Sequence, residues 1–253
     1  MCPYFYVQGV KIGSYELMTS IAAIAAFVYL YHSLSHIPIK NRQIYIFIFV
    51  GLLVQYFGGT IIPLVYRWFY LYQTPWFNVW AKSPGRYFHS VALSLLLFTI
   101  LAAKLFKWPT RKVLDHSMIA LMLGSAIGRI GCFLHGCCKG KPCNLPWAVR
   151  FPSHPELALH PTQIYMLIAE TILFVYLIQL NRKKRYDGET FWQGVFLYSI
   201  YRVGIEFLRT NPPFLFGLTH AQVFSLLTGW ISLRILLNYN RNYSPKTLPP
   251  ESK

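Results

Sequence analysis

The sequence predicts an all-α integral membrane protein of seven transmembrane helices, with its amino terminus extracytoplasmic and its carboxyl terminus cytoplasmic. Three observations carry that expectation. Hydrophobic residues make up 55% of the 253 and charged residues only 13%, a balance more apolar than that of a water-soluble domain. Seven apolar runs approach the roughly 20 helical residues that cross a bilayer. The basic residues gather in the connectors between those runs, unequally on the two sides.

The runs cover residues 15–31, 44–65, 89–105, 118–134, 163–180, 191–208 and 223–237. The last is the shortest, and Arg234 within it is long enough to snorkel to an interface from a helix end. One alternate set of connectors holds Lys40 and Arg42, then Lys104, Lys107, Arg111 and Lys112, then Arg182, Lys183, Lys184 and Arg185, and finally Arg241, Lys246 and Lys253. The opposite set holds Lys11, then Arg67, Lys82 and Arg86, then Lys139, Lys141 and Arg150, then Arg209, spread over longer loops. The richer set faces the cytoplasm under the positive-inside rule, which fixes the orientation. Residues 1–239 then form one seven-span domain, and the polar, proline-containing stretch 240–253 is expected to be a disordered cytoplasmic tail. The net charge of +16 lies where it meets lipid headgroups, so the bilayer and not nucleic acid is the expected partner. Met1 to Leu17 contains no basic n-region, so a cleaved signal peptide is not expected.

Ionisable groups inside spans cost at least about 2.5 kcal/mol for an arginine at a helix centre, and each requires a reason. Arg129 interrupts the fourth run in Gly124-Ser125-Ala126-Ile127-Gly128-Arg129-Ile130-Gly131, where small residues allow a neighbouring helix or a ligand to approach the backbone. Arg202 in the sixth run shares one helical face with Tyr198 and Glu206, four residues either side. The predicted orientation places both arginines toward the outer leaflet. It also places Tyr15, His89, Gln163 and Gln222 near the outer starts of their runs, with His160 and His220 just ahead. Two arginines at one depth suit a phosphate-bearing lipid, because the guanidinium fork holds phosphate oxygens bidentately. The alternative is structural: Arg202 neutralised by Glu206, and Arg129 capping backbone carbonyls or reaching headgroups.

Four of the five cysteines fall between Cys132 and Cys143, at Cys132, Cys137, Cys138 and Cys143, and the fifth is Cys2. Their spacing is not the paired C-x-x-C pattern of structural zinc sites, so neither a metal nor a cofactor is expected. In an oxidising outer compartment, a disulfide from Cys143 to Cys137 or Cys138 and free thiols are both compatible with the sequence. His36 and His116 read as ordinary interfacial histidines.

The run Gly128-Arg129-Ile130-Gly131-Cys132-Phe133, continuing to Gly136 and Gly140, resembles the signature of bacterial prolipoprotein diacylglyceryl transferases. The stretch from Ile12 to Met18, with Tyr15 at a tyrosine position, is similar to that family's amino-terminal stretch. His160-Pro161-Thr162-Gln163-Ile164-Tyr165 resembles its His-Pro-Ser-Gln-Leu-Tyr motif. Gly188, Tyr198, Arg202, Glu206 and Arg209 match the spacing of its penultimate span, and Gln222 with Ser225 is similar to its last.

The resemblance implies a seven-span bacterial inner-membrane enzyme that transfers the diacylglyceryl group of phosphatidylglycerol to the cysteine thiol of a prolipoprotein lipobox, releasing glycerol phosphate. It implies Arg129 and Arg202 as essential arginines and His89 as the histidine of the family's His-Gly segment; by its chemistry a neutral His89 imidazole takes the thiol proton, the alternative being an interfacial histidine bonded to a backbone carbonyl. Tyr15, Cys132, Cys137, Gly140, His160, Gln163, Tyr198 and Glu206 then surround the substrates. The chemistry agrees with the residues: phosphate is the leaving group, guanidinium groups neutralise its developing charge, and the thiolate is the competent nucleophile. The chain departs from the family pattern at four places. Cys132 replaces the usual asparagine, Cys137 a frequent glutamate, Glu16 a glycine, and Ser90-Val91 the glycines after the histidine. Three alternatives follow: a non-catalytic membrane protein that binds phospholipid or handles lipoproteins, a transferase with another acceptor, and a thiol-based redox or metal protein centred on Cys137, Cys138 and Cys143.

Overall fold

The computed structural model describes residues 3–7, 10–70 and 88–242. Among them are seven helices: α1 (Ser14–Ser35), α2 (Asn41–Tyr70), α3 (Phe88–Leu105), α4 (Thr110–His135), α5 (Thr162–Lys183), α6 (Glu189–Glu206) and α7 (His220–Asn242). Each predicted run coincides with one of them. Two small antiparallel hairpins add to the helices, which composition alone does not announce: β1 (Tyr4–Val7) with β2 (Val10–Gly13), and β3 (Val149–Phe151) with β4 (His154–Leu159). Helix α7 runs on to Asn242, and the remainder of the expected tail lies outside the described residues, as does Cys2.

Among the described residues, four helices are long and apolar enough to cross a membrane, at Ser14–Ser35, Thr110–His135, Thr162–Lys183 and His220–Tyr239, with a shorter apolar helix at Ser90–Leu105. Helix α6 carries Glu189, Arg202 and Glu206 within 18 residues. Beside an apolar core, burial departs from that of a soluble protein in two ways. Large apolar side chains such as Ile24, Val28, Phe49, Leu101, Ile172 and Trp230 are exposed, whereas Glu170, Gln163, Glu206, Arg202, Ser199 and Ser225 are buried. Apolar exposure on successive helices is what hydrocarbon solvates, and polar groups turned inward are what it excludes.

The chain divides into two compact units, residues 27–117 and residues 1–26 with 118–253. In the first, α2 approaches α3 through small residues. A Cβ on Gly58 would stand 2.6 Å from the Ser94 side chain, and Phe47 stacks on Phe98 with centroids 5.1 Å apart. The Trp108 ring N–H donates to Gln43 Oε1 at 3.2 Å.

In the second unit, α4 lies against the start of α1. A Cβ on Gly131 would be 2.8 Å from Met18 Cβ and 3.4 Å from the Tyr15 backbone, and one on Gly124 would be 3.5 Å from the Ala22 carbonyl oxygen. The small residues around Arg129 thus admit a helix, and that helix is α1. On the other side, Ser199 of α6 meets Thr228 of α7, hydroxyl to hydroxyl at 3.0 Å, beside Gly229. Gly194 of α6 passes close to Met118 and Leu177, which locks α4, α5 and α6 together.

Candidate active site

Arg129 projects from α4 onto a fully buried carboxylate, Glu170 of α5. Its Nε lies 3.3 and 3.4 Å from the two carboxylate oxygens and its Nη2 3.2 Å from one of them. The Tyr201 hydroxyl of α6 donates to the same carboxylate at 2.8 Å. A carboxylate removed from water is tolerated when paired and hydrogen-bonded, and Glu170 has both. Next to Tyr201 in sequence, Arg202 pairs through Nη1 with Glu206 one turn on, whose other donors are the Asn211 amide and the Thr219 hydroxyl, the latter at 3.0 Å. Arg209 Nε stands 3.8 Å from Glu206. Three guanidinium groups therefore share two carboxylates, leaving a positive excess in a buried region. Tyr198 lies between, within electrostatic reach of both Arg129 and Arg202, and its ring packs edge-on to Tyr201 at 5.0 Å. The structural pairing foreseen for Arg202 is present. Arg129 meets a carboxylate, Glu170, that the sequence reading did not name.

The loop after α4 follows from how that helix stops. Gly136, at φ 78°, donates to Phe133 O at 3.1 Å, and Cys137 N donates to Cys132 O at 3.1 Å. This is the Schellman arrangement, with glycine in the left-handed position that spares it a Cβ clash. It brings the side chains of Cys137 and Cys132 together, five residues apart in sequence. Cys138 is also left-handed, at φ 60°, a conformation that costs a non-glycine residue roughly 1–2 kcal/mol. The first turn of α5 holds it there: Thr162 Oγ1 donates to Cys138 O at 2.6 Å, and Gln163 Nε2 to Cys137 O at 2.5 Å. Gln163 Oε1 is buried with no partner.

Gly140 then threads a crowded crossing. Its N–H donates to His160 O at 3.0 Å, while a Cβ there would lie 2.6 Å from Leu208 O, 2.7 Å from His160 Cβ and 2.8 Å from Thr162 Cγ2. No side chain fits. The His160 ring sits 3.3 Å from the Tyr165 hydroxyl, which also accepts from the Trp147 ring N–H at 2.7 Å.

The sulfurs of Cys132, Cys137 and Cys138 all lie within 4.8 Å of one another. Hydrogen bonds from Cys132 and Cys137 hold the Cys138 thiol well below the usual thiol range, and the Arg209 and Arg129 charges act in the same direction. Cys137, whose thiol donates to Cys132 O at 3.6 Å, is pushed up by its neighbours Cys132 and Cys138, with burial adding to the shift. Cys143 stands apart from this group, and the four described cysteines are free.

Among the other sequence candidates, Tyr15 opens α1 with its ring 6.2 Å from that of His135. His89 lies in the first turn of α3, in the other unit, with its side chain outside the described ones. Gln222 caps α7: Thr219 N donates to Gln222 Oε1 at 3.0 Å and Gln222 N to Thr219 Oγ1 at 3.3 Å, a reciprocal capping box. Sequence reasoning missed Glu170, Tyr201 and the nearness of Arg209. Glu170 carried a signal, since it is a lone carboxylate inside an apolar run, by the same rule that singled out the arginines.

The profile of the prolipoprotein diacylglyceryl transferase family matches residues 3–238. A phosphatidylglycerol–prolipoprotein diacylglyceryl transferase of Clostridium tetani is 31% identical over 214 residues, covering 82% of this chain and 85% of that protein. One of Mannheimia succiniciproducens is 33% identical over 210 residues, 79% of this chain and 77% of that protein. A third, from Clostridium perfringens and carrying the same name with the number 2, is 26% identical over 239 residues, 93% of each chain.

Proposed function

Because the chain belongs to the prolipoprotein diacylglyceryl transferase family, we propose that it transfers the diacylglyceryl group of phosphatidylglycerol to the cysteine thiol of a prolipoprotein lipobox, releasing glycerol phosphate. It is a transferase, and the step opens bacterial lipoprotein maturation. The observation that carries the reading is the excess of guanidinium over carboxylate at Arg129, Arg202 and Arg209, a charge balance that suits a singly charged phosphodiester.

The acceptor thiolate attacks the terminal glyceryl carbon bonded to the phosphate oxygen. A C–S bond forms, the C–O bond breaks, and its electron pair stays on the departing phosphate. That phosphate gains charge as it leaves, which is where Arg129 and Arg202 act, because groups that hold the developing charge lower the barrier. Glu170 with Tyr201, and Glu206 with Thr219, keep the two guanidinium groups in place before the lipid arrives. His89 takes the proton of the acceptor thiol, and Tyr15, Cys132, Cys137, Gly140, His160, Gln163 and Tyr198 shape the pocket around lipid and peptide. The protein sits in the bacterial inner membrane as seven spans, with the site toward the outer leaflet and the carboxyl terminus in the cytoplasm.

The test is product formation. Purified protein incubated with phosphatidylglycerol and a cysteine-bearing lipobox peptide is expected to yield thioether-lipidated peptide and glycerol phosphate in equal amounts. Binding of the lipid with neither product, across several peptides, would identify a lipid-binding protein instead.

A further inference from the structure

The three converging sulfurs belong to residues that the reaction as described does not need as thiols. Three features mark them as a built group. They approach one another within 4.8 Å, and a tetrahedral zinc thiolate site, with Zn–S bonds of about 2.3 Å, places its sulfurs about 3.8 Å apart. Sub-ångström shifts close the difference. The backbone that aims them is fixed from outside the loop: Thr162 and Gln163 hold the carbonyls of Cys138 and Cys137, and Cys138 is kept left-handed. Ligand residues held by such outer hydrogen bonds keep a metal site's geometry. Finally, Cys132 is buried while Cys137 and Cys138 are half-buried, so an ion held by all three keeps one side open.

We propose that Cys132, Cys137 and Cys138 bind a thiophilic divalent ion, Zn2+ foremost, whose fourth position takes the acceptor thiol. The proposal rests on the transferase reading for the identity of that fourth ligand. Three thiolates and Zn2+ carry one negative charge together, and Arg129 and Arg209 are near enough to these sulfurs to offset it. The same Arg129 holds the donor phosphate, so coordination sets the acceptor sulfur beside the lipid. A thiol bound to zinc is deprotonated. Its proton passes to His89, the base already assigned, its sulfur lone pair forms the C–S bond as the C–O bond to the phosphate breaks, and the metal keeps its oxidation state throughout. No oxidant or reductant is involved.

The test uses full-length protein in detergent micelles or nanodiscs. Metal analysis of protein purified without chelator is expected to find a single zinc per chain, kept in Cys143→Ser and lost in Cys132→Ser and Cys138→Ser. Stripping the wild type and reloading it with Co2+ should give a thiolate charge-transfer band in the near ultraviolet, which needs no variant to fold. A lipobox peptide should shift that band when it carries cysteine and leave it unchanged when serine replaces the cysteine. Three free thiols, no cobalt band and full transfer in the presence of chelator would overturn the metal while leaving the transferase intact. A disulfide among the three in fully active protein would overturn it equally. A metal-loaded protein that makes no thioether would refute the transferase reading and the fourth-ligand assignment, with three-cysteine binding still read from the cobalt spectrum.

Discussion

A guanidinium buried beside a carboxylate has two possible meanings, a structural tie or an anion clamp, and substitution separates them. Arg129→Lys and Arg202→Lys both retain a positive charge but lose the planar fork. Each is expected to lower transfer about a hundredfold, the usual loss for a donor aimed at developing charge, with unfolding temperature little changed. Equal rates in wild type and both variants, at matched protein levels, would assign the arginines to structure alone. Glu170→Ala should behave differently. Removing one partner of a buried pair costs roughly 3–5 kcal/mol, so thermal unfolding in detergent should fall together with activity. For His89, replacement by glutamine should slow transfer most at low pH, where little acceptor thiol is already ionised, and rising pH should restore part of the rate. A His89→Gln enzyme that matches wild type at every pH would remove that residue from proton transfer.

How a helix ends decides where its chemistry lands. The Schellman stop of α4 and the crossing at Gly140 carry the cysteine loop onto the first turn of α5. Gly140→Ala forces a methyl within 2.8 Å of three atoms, one of them a backbone oxygen. The expected cost is about 1–3 kcal/mol, with transfer reduced beyond the loss of folded protein because the loop moves; unfolding temperature and specific activity measured together show it. Thr219→Ala removes both the α7 cap and a donor to Glu206, and about 1 kcal/mol is expected from the cap alone. All seven helices were legible as apolar runs, four of them long and apolar enough among the described residues to cross a membrane. Arg129 and Arg202 were legible for the complementary reason, as charges where charge is costly. The convergence of Cys132, Cys137 and Cys138 was not, since it depends on two left-handed residues, Gly136 and Cys138, that linear spacing does not encode. Gln222, singled out through a motif, also caps its own helix with Thr219.

Among the described residues many large apolar side chains are exposed, while Arg129, Glu170 and Tyr201 meet between α4, α5 and α6. That arrangement suits a reaction whose donor dissolves only in the bilayer and whose acceptor arrives from outside it. The proposed orientation predicts that a membrane-impermeant thiol reagent labels Cys143 in intact cells, after reduction if necessary. Labelling only after the inner face is opened would reverse the topology. The central claim, transfer of a diacylglyceryl group to prolipoproteins, meets its most direct test in a bacterium depleted of its own transferase and supplied with this chain. Mass spectrometry of a reporter lipoprotein is expected to show the diacylglyceryl thioether with the wild-type chain and unmodified precursor with Arg202→Lys. Precursor alone, despite wild-type chain present in the membrane at normal amounts, would contradict the account.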